Sequence, residues 1–167
     1  MKKQFLFSLI FIFNLSLCFS QKYFLDGVYL ESDVELSAKI DGLRKLTDAQ
    51  LGSFVEIRMA QDSLGFRDAW FDGKELRLVT VFSKQNFEYK KANWYFYKGR
   101  LIYAESFISD KEDNRILAID EKYYLDNEHL FKWMQGDQQV EKNSVNFTKA
   151  ANGIAEQALK LKMENKN

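Results

Sequence analysis

From about residue 54 to residue 135 the chain repeats one pattern: a run in which aromatic, β-branched and other apolar residues alternate with polar ones, a short polar turn, then another run. Alternation with a period of two sends successive side chains to opposite faces of a strand. The runs fall at about 54–60, 67–71, 75–82, 87–97, 101–109, 116–125 and 129–135. Their short connections make an antiparallel meander the simplest topology. The pattern predicts an α+β fold: a single antiparallel meander sheet of about 6–7 strands, with an N-terminal helical segment and a C-terminal amphipathic helix packed on one face.

Three turns share a wording: Trp70-Phe71-Asp72-Gly73-Lys74-Glu75-Leu76, Tyr95-Phe96-Tyr97-Lys98-Gly99-Arg100-Leu101 and Tyr124-Leu125-Asp126-Asn127-Glu128-His129-Leu130. In each, an aromatic residue precedes a leucine by six positions, with Asp-Gly, Lys-Gly or Asp-Asn between them. Those dipeptides accept the positive φ of a tight hairpin turn. The first aromatics lie 25 and then 29 residues apart, a repeated hairpin with drifting loops rather than a strict solenoid period. Tyr23-Phe24-Leu25-Asp26-Gly27-Val28-Tyr29 reads as a degenerate fourth copy. Polar loops are expected around Asp62 to Gly65, Ser83 to Asn86 and Ser109 to Arg115.

Outside this region the period changes. Ser32-Asp33-Val34-Glu35 fits a capping box, and Leu36, Ile40, Leu43 and Leu46 follow as a helical stripe. Val34, Leu36, Ala38 and Ile40 also alternate as in a strand, so residues 33–41 read as helix first and strand second. Thr47-Asp48-Ala49-Gln50, with Leu46 and Leu51 as a hydrophobic staple, predicts a second cap and a new short turn. Near Ser144 a second helix begins, its face made of Phe147, Ala150, Ala151, Ile154, Ala155, Ala158 and Leu161, with Lys160 and Lys162 near its negative end. Gly153 is expected to weaken that helix by about 1 kcal/mol unless close approach to the sheet compensates.

The densest aromatic stretch is Trp94 to Tyr103, WYFYKGRLIY. Alternation places Ala92, Trp94 and Phe96 on one face and Tyr89, Lys91, Asn93, Tyr95 and Tyr97 on the other. The following strand divides into Ile102, Ala104, Ser106 and Ile108 against Leu101, Tyr103, Glu105 and Phe107. One face reads as core. Its opposite mixes tyrosine with charged and amide groups, the composition of a half-exposed surface or of a second layer only partly covered, and the alternative to a binding face is that these tyrosines only pair across strands. A candidate ligand or partner face is therefore Tyr89, Lys91, Asn93, Tyr95, Tyr97, Tyr103 and Glu105, suited to sugars, peptides or a protein.

The amino terminus changes the setting. Lys2 and Lys3 precede an apolar run from Phe5 to Cys18, the length of a signal h-region and too short to span a bilayer comfortably. Small residues at Cys18 and Ser20 suit cleavage after Ser20, making 1–20 a signal peptide and 21–167 a single globular domain, exported to the periplasm or beyond the cell, with no transmembrane segment left. Cleavage removes the only cysteine, excluding disulfides, and leaves 22 basic against 24 acidic side chains. With no basic block, nucleic acid is excluded as a partner.

Catalytic signals are absent from the residues. His129 is the only histidine and has no partner at a metal-ligand or nucleophile spacing. Asp110-Lys111-Glu112-Asp113-Asn114 lacks the glycine and ligand spacing of a calcium loop and reads as a solvated hairpin tip. No cofactor or metal is implied. Asn146-Phe147-Thr148 matches a glycosylation sequon that a bacterial host would ignore.

The hairpins Trp70-Phe71-Asp72-Gly73 and Tyr95-Phe96-Tyr97-Lys98-Gly99, together with Cys18-Phe19-Ser20-Gln21, resemble small exported proteins of Bacteroidetes-type bacteria, and more loosely the bacterial variant of MORN repeats. The resemblance covers about 68–135 and implies a Gram-negative envelope or extracellular setting and a β-meander. It carries over no functional residue. The expectation is a non-enzymatic exported binding module for a protein, peptide or glycan. Alternatives are a small hydrolase of envelope or extracellular polymers, its carboxylate pair not singled out, and a scaffold or inhibitor recognising a protein by a sheet edge or the tyrosine face.

Overall fold

A computed structural model describes residues 23–62, 65–85, 88–109 and 116–164. Residues 1–22, with the expected signal peptide, residues 63–64, 86–87 and 110–115, within the expected polar loops, and residues 165–167 lie outside the described residues. The chain divides between Lys39 and Ile40 into two compact units.

In the first unit, β1 (Tyr23–Leu25) and β2 (Val28–Leu30) pair antiparallel. Asp26 and Gly27 both take positive φ, 54° and 77°, forming the two-residue turn expected of the degenerate copy. Helix α1 (Asp33–Gln50) follows directly, so residues 33–41 are helical. The Ser32 hydroxyl accepts the Glu35 amide at 3.2 Å, while the Glu35 carboxylate accepts the Glu31 amide at 2.8 Å, one residue earlier than in a standard capping box.

The second unit takes in the remainder of α1, a 3-10 turn at Leu51–Ser53, and strands β3 (Val55–Asp62), β4 (Gly65–Asp72), β5 (Glu75–Gln85), β6 (Glu88–Tyr97), β7 (Arg100–Ser109), β8 (Ile116–Asp126), β9 (His129–Gln135) and β10 (Gln138–Gln139), then α2 (Val145–Glu164). Strands β3 to β10 form one antiparallel sheet in simple sequence order, a meander. It has eight strands rather than six or seven. The extra one is the exposed pair Gln138–Gln139, which has no apolar alternation to announce it and is paired by the turn at Gly136. The predicted cap at Thr47 is not used. Its hydroxyl donates to the Leu43 carbonyl at 3.1 Å, four residues back, and the helix continues to Gln50.

Three hairpins repeat in detail. Phe71 pairs with Leu76, Phe96 with Leu101 and Leu125 with Leu130, each closing a two-residue turn one pair further on. The turns are Gly73-Lys74, Lys98-Gly99 and Asn127-Glu128, so the first and third sit one residue later than the dipeptides suggested. Positive φ at Lys98 (50°) and Gly99 (72°), and at Asn127 (47°) and Glu128 (69°), matches the right-handed twist of the strands they join. Immediately after each leucine the strand register skips one residue: Arg77, Ile102 and Phe131. Such a bulge shifts the alternation of its strand. Leu101 accordingly joins Phe96 in the core instead of sharing the Tyr103 face.

Helix α2 supplies the apolar cover of one face. Ala69, Val79, Phe96, Leu101 and Leu125 of the sheet cluster with Ile154, Ala158 and Leu161 of the helix. The Ser144 hydroxyl caps α2 by accepting the Phe147 amide at 3.1 Å. One sequence expectation fails there, since Ala155 is exposed; a β-carbon on Gly153 would meet nothing within 4 Å, so no close approach offsets the helical cost expected of it.

Candidate functional site

The tyrosine face is assembled across β6, β7 and β8. The register sets Asn93 opposite Glu105, Tyr95 opposite Tyr103, and Tyr103 opposite Tyr124. Their rings form a ladder, Tyr95 to Tyr103 at 5.6 Å and Tyr103 to Tyr124 at 5.0 Å, continued by Phe131 at 6.4 Å. Such tilted and edge-on pairs stabilise a sheet by up to about 1 kcal/mol each.

This face is not half-exposed. Asn93, Tyr95, Tyr103 and Glu105 retain 8%, 2%, 1% and 3% of their accessible surface. The cover is the second part of α1. Tyr124 donates to Asp41 at 3.2 Å, the Arg44 guanidinium lies 5.7 Å from the Tyr103 ring centre, and Tyr95 donates to Asp48 at 2.9 Å. Residues 41, 44 and 48 lie on one side of a helix. They meet three successive strands because a helical turn, about 5.4 Å, nearly equals the strand spacing, about 4.8 Å. Tyr97 and Lys91 are half-buried at the margin, where Arg77 sits 5.6 Å from the Tyr97 ring and the Lys91 amine 5.4 Å from Phe107. The side chain of Tyr89 lies outside the described residues.

Beneath the helix most of the polar tips are bonded to one another, the buried Arg44 Nε being an exception. Glu105 accepts from Asn93 and from Tyr103, both at 3.1 Å, and lies 3.2 Å from the Tyr95 hydroxyl, whose one proton is shared with the nearer Asp48, while Thr80 donates to Asn93 at 2.9 Å. Arg44 bonds Asp48 at 3.0 Å. Burial, and next the negative charge of Glu105, hold the Tyr95 and Tyr103 hydroxyls well above their ordinary range. Burial disfavours the Arg44 charge, but Glu105 and the neighbouring tyrosines and Asp48 outweigh it and raise its pKa. These phenols stay protonated and act as donors, not as bases.

The sequence brought Asn93, Tyr95, Tyr103 and Glu105 together correctly but missed Asp41, Arg44, Asp48, Thr80 and Tyr124. The signal was available in two places. Tyr124 occupies the same position in its hairpin as Tyr95, and 41, 44 and 48 have helical spacing beside Ile40 and Leu43.

A second concavity opens at the turn end of the sheet, about 590 Å³ in volume, between the β4–β5 and β6–β7 hairpins and the last turn of α2. Its lining combines the partly buried Phe71 and Leu76 and the almost wholly buried Phe96 with Lys74, Lys98, Lys162 and Glu75. Glu75 accepts the Lys98 backbone amide and lies 3.6 Å from Arg77, so its charge is turned into the fold. Lys162 pairs with Glu128, which also accepts the Leu101 amide at 3.2 Å. The hairpin ends are thereby tied together by side chain to main chain bonds.

Among the described residues no group of three His, Cys, Asp or Glu side chains could hold a metal ion, and no helix is long and apolar enough to cross a membrane. His129 is exposed at the start of β9. A scan against protein families finds no match for this chain, and a search of curated proteins finds none either.

Proposed function

We propose that the chain is an exported, non-catalytic binding module that takes its ligand at the turn-end cleft. One observation carries this reading: the cleft is open and lined in part by apolar side chains, whereas the polar groups of the tyrosine face are buried under α1 and most are bonded to one another. Its volume lies within the usual range for small-molecule sites, about 300–1,000 Å³. Three turns linked by Glu75 and Glu128 make a rim that is held in place before a ligand arrives, which lowers the cost of ordering it. The Lys2-Lys3 start and the apolar run to Cys18 support delivery to an envelope or extracellular setting.

The test is amide chemical-shift mapping with a panel of small apolar and aromatic fragments, run beside hydrolysis assays on chromogenic ester, glycoside and peptide substrates. Shifts concentrated on Phe71, Leu76, Phe96 and Gly99, with no turnover, are the expected result. Turnover, or a fragment panel that leaves these amides unmoved, would overturn the reading.

A further inference from the structure

We infer that β3 is a self-association edge: a second copy of this chain lays its own β3 antiparallel to it across a twofold axis through Ile57, so that the two sheets run on as one. The inference is independent of the cleft. Among the described residues β3 (Val55–Asp62) and β10 (Gln138–Gln139) end the sheet, and a terminal strand presents a row of backbone N–H and C=O groups with no strand to bond. The two ends are built differently. Strand β10 is a pair of exposed glutamines, too short and polar to template another chain. Strand β3 has eight residues without proline or lysine. Its first four, Val55 to Arg58, are all exposed, and the apolar Val55 and Ile57 among them keep 60% and 49% of their surface.

That edge is complementary to itself in one register. Val55 lies opposite Phe71 and Ile57 opposite Ala69, which puts both on the α2 side of the sheet, while Glu56 opposite Trp70 and Arg58 opposite Asp68 belong to the other side. With Ile57 on the axis, antiparallel pairing sets it against its own counterpart, and sets Glu56 of each copy against Arg58 of the other. The register shift at Met59 confines the regular run to Val55–Arg58, so these three opposed pairs carry the seam. An axis through Glu56 would instead oppose two carboxylates, and one through Arg58 two guanidiniums. Glu56 is exposed and faces Trp70, not a cation, in its own sheet. Arg58 is bonded to Asp68 yet keeps 45% of its side chain exposed, so the second copy's Glu56 reaches it from the open side and the row becomes Asp68, Arg58, Glu56 across the seam. One long edge per copy also closes the assembly: once the β3 strands meet, only the short β10 ends remain and growth stops.

Sedimentation of the purified protein from about 0.01 to about 1 mM tests this, and a reversible monomer–dimer equilibrium with no larger species is expected. Glu56→Lys opposes a cation to Arg58 twice in the pair and should weaken the dimer about tenfold, equivalent to about 1.4 kcal/mol. The position is exposed, so an unchanged thermal midpoint at the lowest concentration checks that the fold is intact. Mild oxidation of single-cysteine variants reads the register. The sequence has no cysteine besides Cys18, and the unsubstituted protein is the blank. Ile57→Cys sets its sulfur directly opposite its counterpart and should be trapped as a disulfide-linked dimer. Val55→Cys stands about 13 Å along the strand from its counterpart and should not. A protein that stays monomeric over the whole range would overturn the second copy as occupant and leave the edge to another extended chain. A dimer that Glu56→Lys leaves unchanged, or that Val55→Cys links as readily as Ile57→Cys, would overturn the pairing through β3 in this register.

Discussion

The two faces of the sheet are covered by helices of similar length, yet they are joined to them by different physics. Helix α2 meets Phe96, Leu101 and Leu125 with Ile154, Ala158 and Leu161, contacts that are non-directional and depend on area removed from water. Helix α1 meets Tyr95, Tyr103 and Tyr124 with Asp48, Arg44 and Asp41, contacts that require an atom at a particular place. The first face supplies stability. The second fixes where the helix sits along the strands, because a slip of one strand would part the buried Tyr95 and Tyr124 hydroxyls from Asp48 and Asp41 and move Arg44 off the Tyr103 ring.

The contrast is broken most severely from the apolar side. Phe96→Ala should lower stability by about 3–5 kcal/mol, since the ring is 1% exposed and its removal leaves a cavity. Urea denaturation should show the loss as a shifted midpoint with an unchanged slope. On the polar side, Glu105→Leu keeps the site filled but strips the acceptor from Asn93 and Tyr103 together. A loss of about 3 kcal/mol is expected from the same measurement. A loss near zero would mean that the network is dispensable to the fold.

Alkaline pH sharpens the comparison without mutation. Tyr95, Tyr103 and Tyr124 on the α1 face, and Tyr123, all hold their phenolic protons above the ordinary value of 10.0, burial being the leading cause in each. A folded-state pKa above the unfolded one gives stability that is complete below about pH 10 and is lost as pH rises past it. Unfolding followed from pH 8 to 11 should show a plateau and then a decline, and Tyr95→Phe should make that decline shallower. The smallest effects lie on the outer surfaces of the two helices. Gly42 in α1 and Gly153 in α2 are exposed, and an added β-carbon would meet nothing within 4 Å at either. Gly42→Ala and Gly153→Ala should each raise stability by about 1 kcal/mol in thermal or urea melts. Equal gains would show that the difference between the faces lies in the contacts beneath the helices.

The strands were legible because their alternation was strong: each of the seven predicted runs corresponds to a strand from β3 to β9. Pairing carried those strands further than composition did, to Asp62, Gln85 and Asp126. What alternation alone misplaces is any residue beyond a bulge, as Leu101 shows, because one residue skipped by the register reverses the inward side for what precedes it. The residues of the Tyr95 and Tyr103 face were legible, but whether they form an open surface or a covered layer was not. Tyrosine and glutamate beside asparagine describe a wet surface and a hydrogen-bonded interior equally well, and only the placement of residues 41, 44 and 48 above them distinguishes the two. The turn-end cleft was invisible for a related reason. Phe71, Leu76 and Phe96 read as ordinary core positions, and their lysines as ordinary turn residues, until adjacent hairpins bring them to one rim.

The ladder under α1 also sets a limit on its own length, in the manner of a vernier scale. From Asp41 to Arg44 to Asp48 the helix advances about 5.3 Å per contact, against strands about 4.8 Å apart. Over both steps, of three and then four residues, the helix advances about 10.5 Å against about 9.6 Å for the strands, leaving the ends about 0.9 Å out of step. The aromatic row itself runs on past Tyr124, at the Asp41 end of these contacts. The next strand, β9, carries Phe131 at that place, an aromatic ring that extends the stack with no hydroxyl to be met. A chain that gained further hairpins would widen its sheet without lengthening this clasp.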